Sequence, residues 1–189
     1  MKRIVIFASG SGTNAQRIVE YFKDQNEVEV ALILSNKATA KVLDRAANLN
    51  ISAFSFNKTA FYENDHVLNL VKSAKPDLIV LAGFLWLFPA SIIQSYTGKI
   101  INIHPALLPA YGGKGMYGAH VHKAVVEAKE IESGITIHYV TENYDEGAII
   151  FQAKTKLDSE ETADSLAAKI HKLEYEHFPR VIAELLEKQ

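Results

Sequence analysis

The sequence predicts an α/β domain, with a mostly parallel sheet covered by helices on both faces and an antiparallel pair at one edge. Three observations predict it. Short apolar runs without polar alternation recur along the chain, which is how strands buried on both faces read. Helix-like segments separate most of these runs, the rhythm of successive parallel strands and crossovers. Only the last two runs follow each other through a short polar turn, as an antiparallel pair does. The length of 189 residues suits a single domain over 1–189, without repeats, low-complexity tracts or a linker.

The first strand is 4–8, Ile4-Val5-Ile6-Phe7-Ala8, followed by a Gly/Ser-rich turn and a helix over about 13–24. Residues 28–34 form the next strand, then come a helix at about 38–48 and an extended piece at 51–56. One helix is expected over 59–74, ended by Lys75-Pro76-Asp77 before a strand at 78–82. A short helix near 90–96 precedes a strand at 100–103, a long loop runs over 105–117, and a helix covers about 118–128. Ile135, Ile137 and Tyr139 alternate with Thr136, His138 and Val140, and the run 148–156 follows. A terminal helix spans about 161–187, with an interruption expected near Pro179.

Composition narrows the function classes. A hydrophobic share of 48% against 22% charged residues is ordinary globular usage and argues against disorder. The formal charge of -2 gives no whole-protein attraction to nucleic acid or anionic membrane. There is no cysteine, which excludes disulfides, thiolate nucleophiles and cysteine-ligated metals and fits a reducing compartment. Met1-Lys2-Arg3 and the apolar run after it look like the start of a signal peptide. The run breaks at once into Ser9-Gly10-Ser11-Gly12, so a buried strand is the better reading and a cytoplasmic location the default.

Three segments carry candidate chemistry. Ser9-Gly10-Ser11-Gly12-Thr13-Asn14 joins a strand to a helix, where glycines allow close backbone approach and leading helix amides can hold a phosphate. It matches neither the dinucleotide fingerprint nor a Walker loop, and an ordinary glycine turn with a hydroxyl cap is the alternative. Asn102 and His104, two apart on a strand that ends at Pro105, share a face. They are placed either to polarise a carbonyl or to make structural hydrogen bonds. Asp145 shares a polar turn with Glu142 and Glu146, and the residues alone do not choose among the three acids. His104, His120, His122 and His138 are the histidines able to converge; no metal is expected, and His122 and His138 are placed nearest the site.

The motifs Phe7-Ala8-Ser9-Gly10-Ser11-Gly12-Thr13-Asn14, Leu81-Ala82-Gly83-Phe84, Asn102-Ile103-His104-Pro105-Ala106-Leu107-Leu108-Pro109, Gly134-Ile135-Thr136-Ile137-His138 and Asp145-Glu146-Gly147 occur in that order. Together they resemble the folate-dependent glycinamide ribonucleotide formyltransferase family over essentially the whole chain. The resemblance implies a single-domain, three-layer Rossmann-like formyltransferase fold. It implies transfer of the formyl group of 10-formyltetrahydrofolate to the primary amine of glycinamide ribonucleotide, in purine biosynthesis. Asn102, protonated His104 and Asp145 match the family's catalytic trio. Gly10, Ser11, Gly12, Thr13 and Asn14 match its substrate-phosphate loop, and Glu174 matches a ribose-contacting acid. Phe84, Leu85, Trp86 and Leu87, with Val140, Thr141 and Tyr144, match the folate pocket, and Lys58 falls near the formyl-donor side.

Two departures stand out. Trp86 replaces a basic residue that many relatives carry, so the glutamate tail of the folate is expected to be held differently. The segment Ala110 to Gly118 is longer than the common form, with Lys114 either a phosphate or carboxylate contact or a bystander. A tRNA-acting relative is expected to carry a further C-terminal domain and a basic face. The expected partners are therefore two small molecules, with no nucleic acid and no membrane, on a monomer or homodimer. Transfer to another amine, hydrolysis of the formyl donor, and a phosphometabolite-binding module without catalysis are the rival functions.

Overall fold

The computed structural model describes residues 1–188. Its strands are β1 (Lys2–Phe7), β2 (Val28–Ser35), β3 (Ala53–Ser55), β4 (Leu78–Leu81), β5 (Ile100–His104), β6 (Glu132–Tyr139) and β7 (Ile149–Lys156). Its helices are α1 (Thr13–Phe22), α2 (Lys41–Asn48), α3 (His66–Ala74), α4 (Ala90–Ser95), α5 (Ala119–Glu127) and α6 (Ala163–Glu187). All seven strands form one sheet in the order β3-β2-β1-β4-β5-β6-β7. The first five run parallel, whereas β6 is antiparallel to β5 and β7 antiparallel to β6.

Strand alternation splits the core into two layers. Ile4 and Ile6 of β1 face one side with Val80, Ile101 and Ile103, packed by Ile18 of α1, Val42 of α2, Val121 of α5 and Ile170 and Phe178 of α6. Val5 and Phe7 face the other side with Ile79 and Leu81, packed by Val67 and Val71 of α3 and Ile92 of α4. Burial on both faces explains the unbroken apolar runs of the central strands. Phe7 anchors an aromatic cluster, its ring centroid 4.9 Å from Phe88, 5.4 Å from Phe84 and 6.0 Å from Phe56.

Two elements depart from the sequence reading. The helix expected over 59–74 is two pieces, a single wide turn over Thr59–Glu63 and then α3. Asn64 breaks it: its backbone is extended and its side-chain oxygen accepts the His66 amide at 3.1 Å, an Asx turn that competes with helix. Conversely, α6 runs unbroken through Pro179. Proline removes one backbone bond, but Phe178, Pro179, Val181 and Ile182 are all buried there, and tertiary packing outweighs the local loss.

Order reverses beside β1, which pairs with β2 on one side and β4 on the other. The crevice outside the carboxyl ends of strands at such a reversal is where open α/β sheets bind ligands. Here that edge carries the loop after β1, the segment after β4 and the end of β5.

Candidate active site

The loop after β1 is shaped from both sides. Ser9 donates its amide to the Gly83 carbonyl at 3.0 Å, and its hydroxyl accepts the Leu85 amide at 2.9 Å, tying the loop to the segment after β4. On the other side, Val42 donates its amide to the Gly10 carbonyl at 3.1 Å and Arg45 donates Nε to the Ser11 carbonyl at 2.7 Å. Gly12 sits at φ 74, and a Cβ there would collide with Val42, so the position requires glycine. No side chain caps α1 and no acid lies in its first turn, so the leading amides are left for an anion.

Behind this loop lies a buried carboxylate. Glu174 of α6 accepts from Asn14 Nδ2 at 3.0 Å and pairs with His171 Nδ1 at 3.0 Å, both through Oε2. The hydrogen bond to Glu174 pulls the His171 pKa above the ordinary histidine value, against the effect of its partial burial.

Asn102, His104, His138 and Asp145 form a second constellation. Antiparallel pairing sets His138 directly opposite Asn102 and Thr136 opposite His104. Asn102 Nδ2 is 3.1 Å from His138 Nε2 and 3.5 Å from Asp145 Oδ1. His138 Nδ1 lies 2.8 Å from the Tyr139 carbonyl, and its Nε2 is also 3.5 Å from Asp145 Oδ1. His104 Nε2 lies 2.8 Å from the Tyr111 carbonyl, and its Nδ1 is 3.5 Å from Asp145 Oδ2. The Gly113 amide donates to the same Oδ2 at 2.9 Å. The long loop thus touches both members of the His104–Asp145 pair.

The geometry also separates the three acids of the β6–β7 turn. Glu142 and Glu146 are exposed and bond only to Gln94 and Asn143, whereas the Asp145 side chain is 11% exposed and turned to the histidines. Asp145 adopts a left-handed φ of 56, and Gly147 packs so tightly against the Tyr139 carbonyl that no Cβ fits. Burial raises the Asp145 pKa, but the hydrogen bond with His138, the charge of His104 and the Gly113 amide outweigh it, and the net shift is downward. Burial likewise dominates at His104 and lowers its pKa, against Asp145 and the Tyr111 carbonyl and with help from His138. The shifts favour the carboxylate form of Asp145 and, through burial, the neutral form of His104.

A cavity of about 610 Å³ opens onto both constellations. Its wall includes Gly10, Ser11, Gly12, Thr13, Asn14, Glu174, Asn102, His104 and Asp145. Phe84, Leu85, Trp86, Leu87, Val140, Thr141 and Tyr144 also line it. Lys58 is the one sequence-derived candidate outside this wall; its ammonium lies 5.8 Å from the Trp86 ring centroid, and Tyr62 stacks on Trp86 at 6.0 Å. Lys37, Lys114, His122 and His171 join the wall without an assigned role from the motifs. The motif Gly134 to His138 placed His138 near the site in the sequence, but it does not reveal the strand's partner. Among the described residues, no group of three or more metal-ligating side chains is gathered, and no helix is long and apolar enough to cross a membrane.

Comparison with known proteins agrees with this architecture. Residues 2–182 match the Formyl transferase family model. The chain is 39% identical to phosphoribosylglycinamide formyltransferase of Bacillus subtilis, over 98% of this chain and 95% of that protein. It superposes with a TM-score of 0.89 on glycinamide ribonucleotide transformylase 1 from Geobacillus kaustophilus, at 38% identity, covering 98% and 99% of the two chains. The corresponding enzyme from Bacillus halodurans gives 0.88 at 36% identity, covering 99% and 96%. The architecture is thus the Rossmann-like formyltransferase fold, mostly parallel with antiparallel late strands. The chain belongs to the formyl transferases, within the phosphoribosylglycinamide formyltransferase family, and is an enzyme of formyl transfer.

Proposed function

We propose that this enzyme transfers the formyl group of 10-formyltetrahydrofolate to the primary amine of glycinamide ribonucleotide, a step of purine biosynthesis. One observation carries the reading: a single cavity is lined both by an anion-ready loop at Gly10 to Asn14 and by an apolar wall at Phe84 to Leu87. A phosphorylated amine suits the first end. A flat heteroaromatic group suits the second, where Phe84 and Trp86 present ring surface next to Val140. The reduced folate supplies an electrophilic formyl carbon.

Asn102 and His104 donate to the formyl oxygen as the attacking amine makes it an oxyanion. His104 Nε2–H exchanges the Tyr111 carbonyl for this oxygen. Asn102 turns its second amide hydrogen, held only at 3.5 Å by Asp145, to the same place. Donors set in place before the reaction are worth about 3 kcal/mol each. Asp145 takes the proton released by the nitrogen as it forms its new bond, and His104 Nδ1 shares that proton across the Oδ2 contact. The ring therefore gains positive charge as the oxygen gains negative charge, so it stabilises the transition state more than the ground state. The same proton returns to the departing folate nitrogen when its bond to the formyl carbon breaks.

The test is a formyl-transfer assay read by folate absorbance, with glycinamide ribonucleotide and a nucleotide-linked amino sugar as rival acceptors. Turnover with the ribonucleotide at least about tenfold above the sugar is expected, on the scale of one lost specific contact. Equal turnover, or folate deformylation without an acceptor, would reject the reading.

A further inference from the structure

One face of α2 grips three successive residues of the loop after β1. Val42 donates its amide to the Gly10 carbonyl at 3.1 Å, Arg45 donates Nε to the Ser11 carbonyl at 2.7 Å, and Gly12 lies against the Val42 side chain. Val42 and Arg45 are three positions apart on the helix and so stand on one side of it. A trans peptide points its carbonyl and its amide in opposite directions. With the Gly10 and Ser11 carbonyls drawn back toward α2, the amides of Ser11 and Gly12 are turned away from it. Neither amide donates to a described residue, and both residues line the cavity. Two such amides in succession extend the run of free N–H groups at the start of α1 into a concave seat for an anion.

The two pins differ in kind. The Val42 amide is backbone, so any residue except proline supplies it. The Ser11 carbonyl has the Arg45 side chain as its one donor among the described residues. Nη1 of the same guanidinium bonds to Gln16 Oε1 on α1, so the planar fork is held at two points. Both of its acceptors are neutral oxygens, and no described carboxylate pairs with it. The charge of Arg45 thus stays available to an anion on the far side of the loop.

We propose that Arg45 is a positioning residue for the phosphorylated substrate: by holding the Ser11 carbonyl it aims the Gly12 amide at the phosphate and sets a cation behind the loop. This rests on the reading of Gly10 to Asn14 as the phosphate cradle.

The experiment is titration with inorganic phosphate, followed by calorimetry and by NMR of the backbone amides. The proteins are the full chain, Arg45→Leu and Arg45→Lys, each checked by circular dichroism. In the wild type the Gly12 amide proton is expected to move downfield as it takes up an anion oxygen. Arg45→Leu keeps bulk without a donor; it should weaken phosphate binding about tenfold and abolish the Gly12 shift. Arg45→Lys keeps the charge and one donor for Ser11, and should recover most of both. In steady-state formyl transfer, Arg45→Leu should raise KM for the phosphorylated acceptor more than it lowers kcat.

An arginine that only fastens α2 to α1 would lower stability on replacement and leave phosphate affinity, the Gly12 shift and KM untouched, which would overturn the proposal. A wild-type Gly12 amide that ignores phosphate would overturn it even if Arg45→Leu fails to fold. Phosphate binding that does not depend on Arg45 sinks only this assignment, and absence of phosphate binding sinks the cradle with it. Arg45-dependent phosphate binding without formyl transfer sinks only the proposed function.

Discussion

His104 Nδ1 and Asp145 Oδ2 stand 3.5 Å apart, with the Gly113 amide on the same carboxylate oxygen and the Tyr111 carbonyl on the other ring nitrogen. A resting carboxylate beside a neutral imidazole is a place for a proton to arrive. Replacing Asp145 with Asn removes that place but preserves shape. Turnover of Asp145→Asn should fall by about 10³-fold, while calorimetric affinity for a phosphorylated acceptor stays within about twofold. Turnover near the wild-type value would exclude Asp145 as proton acceptor.

Asn102→Ala removes an oxyanion donor and the amide beside His138 Nε2. A loss of about 10²-fold in kcat, with little change in KM, is expected from steady-state kinetics. A change confined to KM would mean that Asn102 binds substrate rather than the transition state.

Both members of the acid–base pair are shifted downward, so the pH profile has a defined sign. Protonation of the resting pair occupies the site that must accept the amine's proton. Activity should therefore fall as pH drops, with its acid limb below the ordinary histidine value of about 6.5. A kcat profile at saturating acceptor with that limb above 7 would contradict the assignment.

Gly12 combines a left-handed φ with contact against Val42. Gly12→Ala should destabilise the fold by about 2 kcal/mol in urea denaturation and raise KM for the phosphorylated substrate more than it lowers kcat. Unchanged KM would remove the loop from the phosphate site.

His171 has a raised pKa in the folded state because of Glu174. Its contribution is fully present below the unfolded value of about 6.5 and is lost as pH rises through the raised folded value. The stability difference between wild type and His171→Gln should thus be greatest near pH 6 and shrink toward pH 9, by denaturation at fixed ionic strength. Half of the His171 side chain is exposed, so solvent screening keeps the effect small. A difference that grows with pH would refute the pairing.

Much of the architecture was legible because burial leaves a direct trace in residue type. Ile4 to Ala8, Val30 to Leu34 and Leu78 to Ala82 lack polar alternation because both faces are covered. Gly12 was legible because only glycine tolerates its φ and its neighbour. Less local effects escaped. Asn64 splits one expected helix through its own side chain, and Pro179 is carried within α6 by buried neighbours on either side.

The sequence by itself determined the strand and helix rhythm, the glycine turn after β1 and the shared face of Asn102 and His104, since each follows from local periodicity or backbone freedom. Family resemblance singled out Asp145 from Glu142 and Glu146, and tertiary structure supplied the physical reason by turning only Asp145 to the histidines. It also set His138 across from Asn102 and His122 beside Glu174. Those relations join residues 36 to 52 positions apart, and strand pairing and helix packing, which no local pattern encodes, bring them together.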